Sequence, residues 1–172
     1  MKVLKQKFLD KDARYPNTYK DFMLRLTRIG DVSKSDGTEK EKSERGKAFG
    51  SVYECFMYAT MIGLKAQYSL PFDERTTDGS KFLQTKFWKP EPIVDYIFMS
   101  MLALADYPFA EFESLSESEA ENIALELTKS MEFYAKGGLE LMATKSTETP
   151  HYFENAGNIV SFLQTIQPMA AD

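Results

Sequence analysis

Residues Phe49 to Gln67, FGSVYECFMYATMIGLKAQ, are apolar on nearly every side of a helix. Val52, Phe56, Ala59, Gly63 and Ala66 recur at helical spacing, and Tyr53, Met57, Ile62 and Leu64 cover the other faces. A helix of that kind has no face for water and belongs inside other structure. Its length approaches that of a membrane span. Glu54 interrupts it, however, and Ser51, Tyr58 and Thr60 dilute it, so the expectation is a buried central helix over 49–67.

The rest of the chain can supply the surroundings. Among 172 residues, 43% are apolar and 13% aromatic, enough to fill the core of one domain. Residues 93–106 place Ile93, Val94, Ile97, Phe98, Met101, Leu102 and Leu104 around most of a second helix, the expected partner of the first. Tyr107-Pro108 should end it. Tyr19, Phe22, Met23, Leu26 and Ile29 form an amphipathic stripe. Asn17 or Thr18 can cap that helix after a turn at Tyr15-Pro16. Ser116 and Glu119 have the S-x-x-E spacing of a capping box. The stripe Ala120, Ile123, Ala124, Leu127, Met131 and Tyr134 follows, and Gly137 is expected to cap or kink that helix through a left-handed backbone. Phe153, Ala156, Val160, Leu163 and Ile166 mark a last helix before Pro168. No period-two run is long enough for a sheet; residues 1–10 and 82–88 are the places for a short strand. The fold expected is all-α, a single-domain helical bundle of about five or six helices with 49–67 and 93–106 at its centre. Residues 1–46 would form a basic N-terminal helix and a polar flexible arm, and 47–172 the helical core domain.

Charge is split along the chain. Residues 1–47 carry +5 and residues 48–172 carry −10, within a net charge of −5. A basic arm on an acidic body can seek phosphate or an acidic partner, or lie on its own body. Lys40, Lys42, Arg45 and Lys47 are its candidate contacts. Asp31 to Lys47 has Val32 as its one bulky apolar residue, too little to offset the entropy of ordering. Arg45 and Lys47 precede the central helix, where basic groups can help hold a phosphate, although Gly46 and Gly50 suit close packing equally well. A second candidate is Lys81 to Lys89, where Lys81, Lys86 and Lys89 interleave with Phe82, Phe87 and Trp88. Such a segment can stack on bases and neutralise phosphates. It can also pin a loop to the core while its lysines face water, the preferred reading.

No H-E-x-x-H, C-x-x-C, G-x-S-x-G or phosphate-binding glycine loop occurs. Cys55 is the only cysteine and His151 the only histidine, which points to a buried thiol in a reducing compartment and away from a metal site. His151 is expected in the first turn of the last helix. No cofactor is expected. Glu54 is the carboxylate of interest, because an acid among apolar residues must find a partner or a proton. An enzymatic reading would need Glu54, Tyr53 and Tyr58 in one pocket. No secretory leader is read at the N-terminus, so the expected location is cytoplasmic, with no membrane contact.

One segment has a more specific likeness. Phe133-Tyr134-Ala135-Lys136-Gly137-Gly138-Leu139-Glu140-Leu141 resembles the Tyr-Ala-x-Gly-Gly-Leu-Glu-like segment of small accessory proteins encoded beside bacterial DNA phosphorothioation (DNA sulfur-modification, Dnd-type) systems. The apolar Tyr58–Leu64, the aromatic Lys86-Phe87-Trp88 and Leu102-Ala103-Leu104-Ala105 would match that family's earlier elements, so the resemblance covers Lys47 to Ile166. It implies a cytosolic bacterial accessory protein acting in defence against foreign DNA, and it brings no catalytic residues. A protein partner is expected. DNA is an open second partner, and a homodimer that covers the apolar helices a third.

Overall fold

The computed structural model describes residues 1–27, 48–72, 79–105, 107 and 114–169. Among these, six helices and one small sheet occur. They are α1 (Lys2–Leu9), β1 (Arg14–Pro16), α2 (Lys20–Leu26), α3 (Val52–Ala66), β2 (Gly79–Lys81), α4 (Glu91–Leu104), α5 (Glu117–Glu148) and α6 (Ala156–Thr165). The helices build the core, as expected of an all-α fold. The two strands are three residues each and pair antiparallel, with Arg14 opposite Lys81 and Pro16 opposite Gly79. They lie outside the two places where the sequence suggested a strand: residues 2–9 are helical, and 85–87 form one 3-10 turn. The polar arm, with Lys40, Lys42, Arg45 and Lys47, lies outside the described residues.

Helix α3 starts three residues later than its apolar run. Ser51 is its N-cap and accepts from the Glu54 amide at 3.3 Å, while the Glu54 carboxylate reaches back to the Gly50 amide at 2.7 Å. Amides left unpaired by the first turn are thereby satisfied. At the other end Gln67 takes a left-handed conformation, φ 52°, and the Tyr68 amide donates to the Gly63 carbonyl at 2.9 Å.

Two expectations are overturned at α5. Gly137 does not cap it through a left-handed backbone: the helix runs unbroken through both glycines for 32 residues, and no glycine among the described residues has positive φ. Its length is about 48 Å at 1.5 Å per residue. The principal partner of α3 is α5, rather than the 93–106 segment. The reason lies in the glycines. A Cβ on Gly138 would stand 1.8 Å from the Ala59 carbonyl oxygen, and one on Gly63 would stand 2.0 Å from that of Tyr134. Ala59 and Gly63 are one turn apart, as are Tyr134 and Gly138. The helices therefore cross antiparallel with a glycine of each against the backbone of the other. A Cβ on Gly137 would in turn meet the Tyr68 carbonyl oxygen at 2.2 Å, so this glycine makes room for the chain leaving α3. The capping box at the start of α5 is present: the Ser116 amide donates to the Glu119 carboxylate at 2.8 Å, and the Glu119 amide donates to Ser116 Oγ at 3.3 Å.

The core divides about this crossing. At one end Phe56 and Met57 of α3 and Leu127, Met131 and Ala135 of α5 pack with Leu4 and Phe8 of α1, with Trp88, and with Ile97, Phe98 and Met101 of α4. At the other end Tyr58 and Ile62 of α3 and Leu139 and Met142 of α5 pack with Phe22, Met23 and Leu26 of α2 and with Phe153. Both N-terminal helices thus contribute to the core. Helix α4 belongs to the first end only. It has one buried face and is not central.

Candidate functional site

The unburied face of α4 is the site that sequence reading missed. The helix begins after Pro90, and Pro92 occupies its first turn, where the missing amide hydrogen costs nothing. Val94, Ile97, Phe98, Met101 and Leu102 turn inward. That leaves Tyr96, Met99 and Leu104 turned outward, 56%, 47% and 52% exposed. Beside them is a cavity of about 530 Å³ with Met61 and Leu64 of α3, Tyr134 of α5 and Leu163 of α6 in its lining. Lys65 also lines it, but its Nζ donates to the carbonyls of Leu163 and Gln164 at 2.8 and 2.6 Å. Its charge sits at the carboxyl end of α6, the end of a helix that favours cations. The groove thus presents apolar and aromatic surface with its one cation already engaged, which suits an apolar segment of another molecule. A run of nine bulky residues in fourteen suggests burial all round. Only the position of α4 at the edge of the core exposes three of them.

The Lys81–Lys89 segment is divided by the structure. Trp88 is 1% exposed and sits in the core. It stacks on Tyr53 at 5.9 Å, meets Phe56 and Phe82 edge-on, and its Nε1 donates to the Leu83 carbonyl at 3.1 Å. Trp88 thus fits the pinning reading, and its ring offers no face to a base or a partner. Phe87 is the exposed ring, 57% accessible, with Lys86 Nζ 5.3 Å from its centre. Lys86 pairs with Asp10 at 2.9 Å, Lys89 pairs with Glu91, and Lys81 is exposed on β2.

The acids also fall differently from expectation. Among the described residues, Glu54 has found a backbone amide at the start of α3 and neither an arginine nor a tyrosine. Tyr53 stacks on Trp88, whereas the Tyr58 hydroxyl donates to the Ile159 carbonyl at 2.6 Å, so Glu54, Tyr53 and Tyr58 do not share a pocket. The buried acid among the described residues is Glu132 on α5, with a side chain 3% exposed. It accepts from the Arg14 amide at 2.8 Å and faces the Arg14 guanidinium at 3.4 Å. Burial pushes its carboxyl above the ordinary value, and the bonds from Arg14 oppose that. Glu132 ties β1 to α5. Cys55 is fully buried, and burial alone pushes its thiol up. His151 precedes a 3-10 turn over Tyr152–Glu154 in a left-handed conformation, φ 63°, rather than in the first turn of a helix.

The family model for DNA sulphur modification system-associated protein 4 matches residues 37–167. That span is well over half of the chain. The chain belongs to this family. No curated protein and no solved structure matches it. The matched span holds α3, α4, α5 and α6, including the groove. The Tyr134–Glu140 segment that carries the likeness to such proteins is the helix crossing itself, with Gly137 and Gly138 against the backbone of residues 59 and 68. Its glycines have an architectural task, the close seating of α5 on α3. No helix among the described residues is long and apolar enough to cross a membrane.

Proposed function

We propose that this protein is a non-catalytic accessory of a DNA sulphur modification system, working in the bacterial cytoplasm by holding another protein of that system in defence against foreign DNA. The observation that supports this reading is the outward apolar face of α4 and the groove beside it, on a chain of a family associated with DNA sulphur modification. The occupant is an apolar helix or strand of the partner, laid against Tyr96, Met99 and Leu104. Contact with DNA through Lys81, Lys86, Lys89 and the arm residues Lys40, Lys42, Arg45 and Lys47 is the second reading, favoured by the exposed Phe87 ring. It is the weaker one, because Lys86 and Lys89 already have carboxylate partners.

The test is co-expression of the tagged chain with the proteins encoded in the same modification system. The chain should bring down one of them, and the double variant Tyr96→Glu, Leu104→Glu should lose it while keeping its melting temperature. Undiminished capture by the double variant would remove α4 from the account. Light scattering that gives a dimer mass for the wild type and a monomer mass for the variant would assign the face to self-association instead.

A further inference from the structure

Helix α6 is attached unlike the other described helices. Each of α1 to α5 has fully buried residues, whereas α6 has none. Its apolar side, Ile159, Phe162, Leu163 and Ile166, is only half-buried against the core. Phe162 meets Phe153 edge-on at 5.1 Å. The chain is anchored on either side of the helix. Phe153 before it is 1% exposed, and beyond it the Met169 amide donates to the Ala66 carbonyl at 2.7 Å. No residue between these anchors, 154 to 168, is buried. Polar bonds from α3 supply the rest of the hold. The Tyr58 hydroxyl reaches the Ile159 carbonyl, and Lys65 Nζ reaches those of Leu163 and Gln164. The two Lys65 bonds lie at the surface, where water competes for them.

We propose that residues 154–168 are a strap that opens and recloses while the core stays folded, and that Lys65 is its latch. Local opening selects segments with few buried apolar groups and solvent-exposed hydrogen bonds, and this segment has both. Once released, a helix of ten residues is too short to persist in water, so the strap melts as it opens and refolds as it docks. Lys65 holds it where the last carbonyls of α6 lack amides of their own helix. Opening also removes one wall of the groove. Leu163 and Gln164 line it opposite Tyr96 and Leu104, whereas its other walls belong to α3, α4 and α5, which have buried faces. A segment laid in the groove against Leu163 therefore binds the closed strap better than the open one, and holds it shut. This last step rests on the partner-binding reading; the opening itself does not.

The experiment is native-state hydrogen exchange of the full chain, followed amide by amide by NMR in increasing, sub-denaturing urea. Relative to their intrinsic rates, the amides of residues 160–166 should exchange at least about 100-fold faster than those of 127–142 in α5. Their exchange should depend little on urea, because opening exposes little surface. Lys65→Met keeps the aliphatic stem, removes the donors and should speed exchange at 160–166 about tenfold. Protection and urea dependence at 160–166 equal to those of α5 would overturn the strap, and so would exchange there unchanged by Lys65→Met. Both measurements use the chain alone, so they do not depend on whether α4 holds a partner. Adding the modification-system protein that the chain is proposed to hold tests the coupling: exchange at 160–166 should slow together with that at 96–104. Protection of 96–104 with 160–166 unchanged would overturn the coupling and leave the α4 reading in place. Protection of neither would remove the α4 reading and the coupling together, while the strap stands on the first measurement.

Discussion

Replacing Gly138 by alanine separates the helix crossing from ordinary helix propensity. In a helix that met nothing, Gly→Ala would stabilise by about 1 kcal/mol. Here the new Cβ would lie 1.8 Å from the Ala59 carbonyl oxygen and 2.7 Å from its carbon, against about 3.4 Å for ordinary contact. Both neighbours are backbone atoms of α3, so no side chain can swing away. Relief requires α5 to withdraw from α3 by more than an ångström along the contact, which opens the core at both ends of the crossing. Overpacking typically costs about 1–3 kcal/mol, and here, where the backbone itself must move, about 3–4 kcal/mol. After the propensity gain, the net loss should be about 2–3 kcal/mol. For a chain of this size that lowers the melting temperature by roughly 5–10 °C. Thermal unfolding followed by circular dichroism reads it directly, with Thr144→Ala, exposed on the same helix, as the propensity control. A Gly138→Ala variant that melts at or above the wild-type temperature would refute the close crossing of α3 and α5.

Further outcomes follow from other sites. Glu132 carries a carboxyl raised by burial. The folded chain therefore binds that proton more tightly than the unfolded chain, and stability from this group falls as pH rises through the raised value. Glu132→Gln keeps an acceptor for the Arg14 amide and removes the charge, so its stability relative to wild type should increase from about pH 4.5 upward and then level off; chemical denaturation across pH 4–8 that shows a constant gap would contradict this. Ser116→Ala should cost about 1 kcal/mol through the lost cap of α5, read as a drop of about 2–4 °C in melting temperature. Trp88→Ala should destabilise by about 3–5 kcal/mol and Phe87→Ala by under about 0.5 kcal/mol, although the two rings are adjacent in sequence. Equal losses in denaturant midpoint would mean that the segment is seated differently.

Much of the scaffold was legible because local rules act locally. The spacing of Ser116 and Glu119 gave the start of α5, and the stripe Phe22, Met23 and Leu26 gave the buried face of α2. The position of Trp88 followed from the preference of large rings for the interior. The errors arose where tertiary contact decides. Gly137 and Gly138 have the local chemistry of a helix stop, yet here they allow two backbones to touch, and only the opposing Ala59 and Tyr68 carbonyls reveal that. Glu54 looked like a stranded acid because α3 was started at Phe49 rather than at Val52; with Ser51 as the cap, Ser51 and Glu54 have the same S-x-x-E spacing that identified Ser116. Glu132 was concealed within a helical stripe, since its partner Arg14 lies more than a hundred residues away in sequence. The exposed half of α4 could not be read from periodicity, because a helix with apolar residues on all sides gives no sign of which side the core will leave uncovered.

The partner-binding claim is tested most directly by hydrogen–deuterium exchange on the chain alone and mixed with the modification-system protein that it is proposed to hold. Slower exchange should appear over residues 96–104 and around Leu163, with residues 81–89 unchanged. Protection confined to 81–89, with 96–104 exchanging as in the free chain, would contradict the role given to α4 and shift the binding surface to the basic, aromatic segment.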